Sequence, residues 1–203
     1  MSTTLSNERR GIFLVIGAAL LWSTGGIGIK AIAENALYVS CYRSAIAAVA
    51  LFLIFRPRAI RWTPWFVTSI VAYAGTLIAF VTATKWTTAA NAIFLQYSGV
   101  VWVLLLSPIV LKETMKWRDA VAIAVAIAGM GLFFVQQFEA RGLAGNLMAL
   151  LSSAFFALLV ISLRLQRGSV AEAAVTWGNV LTAAIVFPFI ARAPAVSARS
   201  LAV

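Results

Sequence analysis

Seven side chains have the chemistry to hold a small polar ligand: Trp22, Thr24, Arg43, Asn91, Gln96, Tyr97 and Asn179. All sit in stretches that are otherwise apolar. Arg43 is the most informative of them. A guanidinium offers a planar fork of donors that matches a carboxylate or a phosphate. Inside a lipid-facing helix such a charge costs about 2.5–3.5 kcal/mol, so it marks a functional site by default. The competing reading is that Arg43 snorkels to the outer headgroups, which fits Lys30, nearer the end of its own apolar stretch, still better. Asn91, Ser98 and Trp102 fall on one helical face, with Gln96 and Tyr97 displaced from it. Polar groups on two faces place that helix centrally, either lining a cavity or making hydrogen bonds between helices.

Catalytic chemistry has little to work with. The chain has no histidine, which removes the commonest general base and any histidine metal site. The six acids, Glu8, Glu34, Glu113, Asp119, Glu139 and Glu172, lie in the tail, in loops or at the ends of apolar stretches. No carboxylate pair falls mid-stretch, so neither hydrolysis nor a buried carboxylate proton relay has a visible carrier. The expectation is a protein that is not an enzyme, with no metal and no cofactor. The single cysteine, Cys41, cannot form an internal disulfide and reads as a small packing residue.

Composition explains why these residues are so isolated. Of 203 residues, 63% are hydrophobic and 11% charged, against about 25% charged in an ordinary soluble domain. Seven stretches can cross a hydrocarbon core, at about 11–33, 37–55, 65–84, 91–111, 119–137, 143–163 and 173–191. Short connections predict that consecutive helices are antiparallel neighbours. The net charge of +10 does not suggest nucleic acid, because the basic residues fall between apolar runs and form no stripe. Ten of them (Arg9, Arg10, Arg56, Arg58, Arg61, Lys112, Lys116, Arg118, Arg164 and Arg167) fall on one side. Lys85, Arg141, Arg192 and Arg199 fall on the other. The positive-inside rule then predicts a cytoplasmic N-terminus. Trp62, Trp65, Trp86 and Trp117 sit where an interfacial aromatic belt would place them.

A weak internal repeat adds topology. Gly11, Trp22 and Lys30 share their spacing with Gly145, Phe156 and Arg164, and VSCYRSA at 39–45 aligns with VTWGNVL at 175–181, pairing Arg43 with Asn179. Five spans per unit would make the second unit enter from the opposite face, an inverted repeat. The expected fold is an all-α integral membrane protein of about seven transmembrane helices. A five-helix unit at 11–137 is followed at 143–203 by the first two helices of an inverted second unit. In LLWSTGGIGIK at 20–30, Gly28 with Thr24 and the earlier Gly17 form a small-residue face suited to close helix packing.

These residues also resemble a known family. LLWSTGGIGIK followed by YRSAIAAVALFLIFRPR resembles the opening two helices of EamA-type transporters of the drug/metabolite transporter superfamily. TTAANAIFLQYSGVVWVLLLSPIVLKETMKWRDAVAIAVAIAGMGLFF is similar to that family's fourth and fifth helices, with Pro108 near the end of the fourth and Glu113 at the turn. The resemblance implies a ten-helix secondary carrier of two inverted units, from which this chain departs by its shorter second unit. Pro108 and Glu113 read as structural, Glu113 because negative charge is favoured where a helix begins. The expected function is export of small metabolites such as amino acids or their derivatives by alternating access, from a multi-pass position in the plasma (inner) membrane. The rival is a non-transporting assembly partner or a non-functional fragment of such a carrier. The partners expected are a small-molecule substrate, the lipid bilayer, and either a second copy of the chain or further C-terminal helices.

Overall fold

The computed structural model describes residues 2–56, 62–112, 116–137, 142–166 and 170–191. Described residues form eight α-helices: α1 (Ser2–Ala31), α2 (Ala36–Phe55), α3 (Pro64–Trp86), α4 (Ala89–Gln96), α5 (Gly99–Val110), α6 (Trp117–Gln137), α7 (Leu143–Arg164) and α8 (Ala171–Ala191). Glu113 and the basic residues Arg58, Arg61, Arg141, Arg167, Arg192 and Arg199 lie outside the described residues. The helix boundaries follow local chemistry. Asn35 caps α2 by accepting from the backbone of Leu37 and Tyr38. Thr63 caps α3 just ahead of Pro64, which stands where a missing N–H costs nothing. Thr88 caps α4 in the same way.

Among the described residues, α2, α3, the α4–α5 stretch Ala89–Val110, α7 and α8 are long and apolar enough to cross a membrane. The sequence leads to an expectation of seven spans; α1 and α6 are helical at the remaining two places. Trp62, Trp65, Trp86 and Trp117 are all exposed at helix ends, as a belt requires.

Two features differ from the sequence reading. The fourth apolar stretch is one run by hydropathy but two helices in space, broken at Tyr97–Ser98. There the Ser98 N–H bonds the Leu95 carbonyl at 3.1 Å and the Ser98 hydroxyl reaches the same carbonyl at 2.6 Å. A short hydroxyl side chain competing for backbone acceptors bends helices in this way. Gly99 follows, and a Cβ there would stand 3.1 Å from both the Ser153 carbonyl oxygen and the Phe156 ring. The bend thus brings the backbone against α7.

The second difference is packing order. The most extensive pairings are α3 with α7 and α2 with α8, which are distant in sequence, instead of consecutive helices. Small residues make this possible. Gly75 lies under the Phe155 ring, where a Cβ would come within 2.8 Å. A Cβ on Gly145 would come within 2.7 Å of the Trp86–Thr87 peptide, and one on Gly178 would clash with the Tyr73 ring. Close backbone approach of this kind drives helix association in lipid, where burial of apolar surface does not. Around these contacts Phe66, Ile70, Ala173 and Ala174 form one buried cluster and Tyr38, Cys41, Val186 and Ile190 another.

Candidate functional site

Arg43 and Asn179, aligned by the internal repeat, both act on Tyr73, Asn179 by a hydrogen bond and Arg43 through its charge alone. Asn179 stands on the buried face of α8, and its Nδ2 donates to the Tyr73 hydroxyl on α3 at 3.1 Å. The Arg43 charge on α2 acts on the same Tyr73 phenol. Gly178 admits the Tyr73 ring beside Asn179, and Cys41 holds α2 to α8 nearby, with Sγ 3.8 Å from the Ala183 carbonyl oxygen. A hydroxyl and a carboxamide thus bond α3 to α8. Tyr73 was not among the sequence candidates. Its signal was available: a lone tyrosine inside an apolar span needs a partner for its hydroxyl.

Arg43 is exposed into a cavity of about 370 Å³ between α1 and α2, whose wall includes Gly25, Gly28, Ile29, Tyr38 and Tyr42. Tyr38 and Tyr42 stack one turn apart, ring centroids 6.4 Å from each other. Glu34 forms part of the rim, and its charge is felt by Lys85. Lys85 in turn donates to the Ile32 carbonyl just past the end of α1, tying α3 to that end. This complements the negative pole of the α1 dipole.

Gln96 occupies a different place. Its Nε2 donates to the Ser152 hydroxyl at 3.1 Å, which donates to the Thr76 carbonyl at 3.0 Å. Two residues along, the Ser98 hydroxyl lies 2.8 Å from Ser153 Oγ, and Trp102 Nε1 donates to that oxygen at 3.2 Å. These bonds stitch the α4–α5 bend to α7 and to α3, each worth about 0.6–2 kcal/mol in lipid. Ser152 and Ser153 were also absent from the sequence candidates, because only the fold shows which side of α7 they serve.

The other candidates do not join these groups. Asn91 is buried beside the end of α3, its Nδ2 3.3 Å from Thr87 Oγ1. Tyr97 points outward, 67% exposed. Thr24 donates to the Leu21 carbonyl of its own helix at 2.8 Å. The Trp22 side chain lies outside the described ones. A Cβ on Gly17 or Gly28 would meet nothing within 4 Å, and the close approach on α1 falls instead at Gly26, where a Cβ would come within 2.9 Å of Ile93. Pro108 lies inside α5, near its end. Among the described residues, no three His, Cys, Asp or Glu side chains group as a metal site would require.

Compared with known proteins, residues 9–135 match the model of the EamA-like transporter family. No curated protein and no solved structure matches the chain.

Proposed function

Since the chain belongs to the EamA-like transporter family and is a multi-pass membrane transporter, we propose that it is a secondary exporter of small carboxylate-bearing metabolites, such as amino acids or their derivatives. The observation that carries this reading is Arg43. It stands on a helix apolar enough to span the membrane and opens into a cavity. A guanidinium retained at that depth is best matched by an anion that comes and goes.

On this reading 11–137 is one unit and 143–203 the start of an inverted second. Alternating access is a rocking of the two about the α2–α8 contact. The N-terminus is cytoplasmic, the membrane is the plasma (inner) membrane, and the partners are the substrate and the bilayer. Of the other sequence candidates, Asn179 is assigned to the substrate path beside Tyr73, and Gln96 and Asn91 to helix packing. Counterflow of labelled amino acids and their N-acyl derivatives into proteoliposomes tests the proposal. Exchange of at least one carboxylate above empty vesicles is expected; exchange of none, by protein shown to be folded, would overturn it.

A further inference from the structure

Resting on that reading for the role of Arg43, we infer that the α1–α2 cavity selects an amphipathic monoanion: a carboxylate with an apolar tail and no free ammonium group.

The lining decides this. Apart from Arg43 and Glu34, the lining is Gly25, Gly28, Ile29, Ile32, Val39 and Ile46, with the two stacked tyrosines. Among the described residues no hydrogen bond or ion pair reaches the Arg43 guanidinium. The acid in the wall is Glu34, which precedes the first turn of α2. Arg43 lies seven residues beyond the start of that helix, about 10 Å deeper at 1.5 Å per residue. An α-amino acid carries both charges on one carbon. With its carboxylate on Arg43, its ammonium would sit among isoleucine and glycine, and an unpaired buried charge is strongly disfavoured. The Glu34 charge is also engaged by Lys85. Masking the ammonium by acylation, or replacing it with hydrocarbon, removes that conflict.

Size and access agree. A cavity of about 370 Å³ stands at the small end of the roughly 300–1,000 Å³ typical of small-molecule sites. A Cβ built on Gly25 or Gly28 meets nothing within 4 Å. Those two positions leave the cavity floor open where side chains would fill it. The flank of α1 beside it is lined with exposed Leu20, Leu21 and Ile27, so an amphiphile already dissolved in the bilayer meets an apolar approach.

The test is equilibrium binding of radiolabelled octanoate to the purified full chain in nanodiscs, with empty nanodiscs subtracted. Octylamine and leucine serve as comparison ligands, and hexanoate and decanoate as a length series. Saturable octanoate binding is expected, tightening by up to about four-fold per added methylene until the cavity fills. Octylamine and leucine should bind at least ten-fold more weakly. R43Q should weaken octanoate at least ten-fold while R43K retains part of the affinity, and G28F should block binding without lowering the melting temperature. Leucine binding as well as octanoate, or R43Q leaving octanoate unchanged, would overturn the inference. If R43Q fails to fold, G28F decides: unaltered octanoate binding would sink it. The outcome is separable from the transport reading. Amino-acid counterflow without octanoate binding rejects only this inference, and octanoate binding without any exchange rejects only transport.

Discussion

α7 and α1 share the glycine–aromatic–basic spacing of the internal repeat and live in opposite surroundings. A Cβ on Gly145, in α7, would come within 2.7 Å of the Trp86–Thr87 peptide at the end of α3, whereas one on its repeat counterpart Gly11 in α1 would meet nothing within 4 Å. Along α7, Ala149, Ser152 and Ala157 are wholly buried; along α1, Leu20, Leu21 and Ile27 are exposed. The pattern of small residues therefore records a capacity for close packing, and a partner helix decides whether that capacity is used. The contrast also separates tasks. The α3–α7–α8 side is held by backbone contact and hydroxyl bonds, while the α1–α2 side keeps a cavity beside a charged residue.

Substitutions can break or sharpen this contrast. The largest effect is expected from Gly145→Val, whose side chain would meet backbone that cannot step aside. Gly178→Val, against the Tyr73 ring, should follow. Each should lose about 1–3 kcal/mol or more, read as a lowered melting temperature in detergent. A G145V protein as stable as wild type would mean that α3 and α7 do not approach as described. Next comes Ser152→Ala, which removes the link from Gln96 to Thr76 and should cost about 0.6–2 kcal/mol. Gln96→Ala should cost a similar amount, and the double variant less than the sum, since both act on one bond. Full additivity in that cycle would argue that the two side chains are not coupled. The smallest effect is expected at Gly17→Ala, within about 0.5 kcal/mol of wild type or slightly stabilising, because it fills open space and favours helix. Marked destabilisation there would show that the α1 face is occupied in the folded protein.

Much of the architecture was legible beforehand, for identifiable reasons. Continuous apolar runs of about 20 residues must be helical in lipid, because no other element satisfies the backbone. Helices α2, α3, α7 and α8 accordingly stand where the sequence placed them. The alignment of Arg43 with Asn179 rested on low identity, and it did not point to Tyr73, the residue that Asn179 bonds. The break at Tyr97–Ser98 was hidden because Ala89–Val110 as a whole is apolar enough to span, and the polar run Gln96–Tyr97–Ser98 within it reads equally well as side chains on one continuous helix. Its cause is a local contest for the Leu95 carbonyl and a contact with α7 far along the chain. The pairing of α3 with α7 was hidden too. Helices that are apolar all round do not advertise which side faces protein, and the choice was made by single glycines opposite Phe155 and Tyr73. Sequence reasoning put the small-residue seam of α1 on Gly17, Thr24 and Gly28, whereas Gly26 makes the contact. Several glycines in one turn offer more than one face, and only the neighbour chooses.

The account stands most directly on Arg43 as the charge that binds a travelling anion. The measurement is carboxylate counterflow in proteoliposomes for wild type, R43K and R43Q, with each variant's melting temperature matched to wild type beforehand. The account predicts that R43Q loses exchange at least ten-fold and that R43K keeps a measurable fraction, with a raised half-saturation concentration. Exchange by R43Q equal to wild type would contradict it, and would leave Arg43 as a side chain reaching for the headgroups.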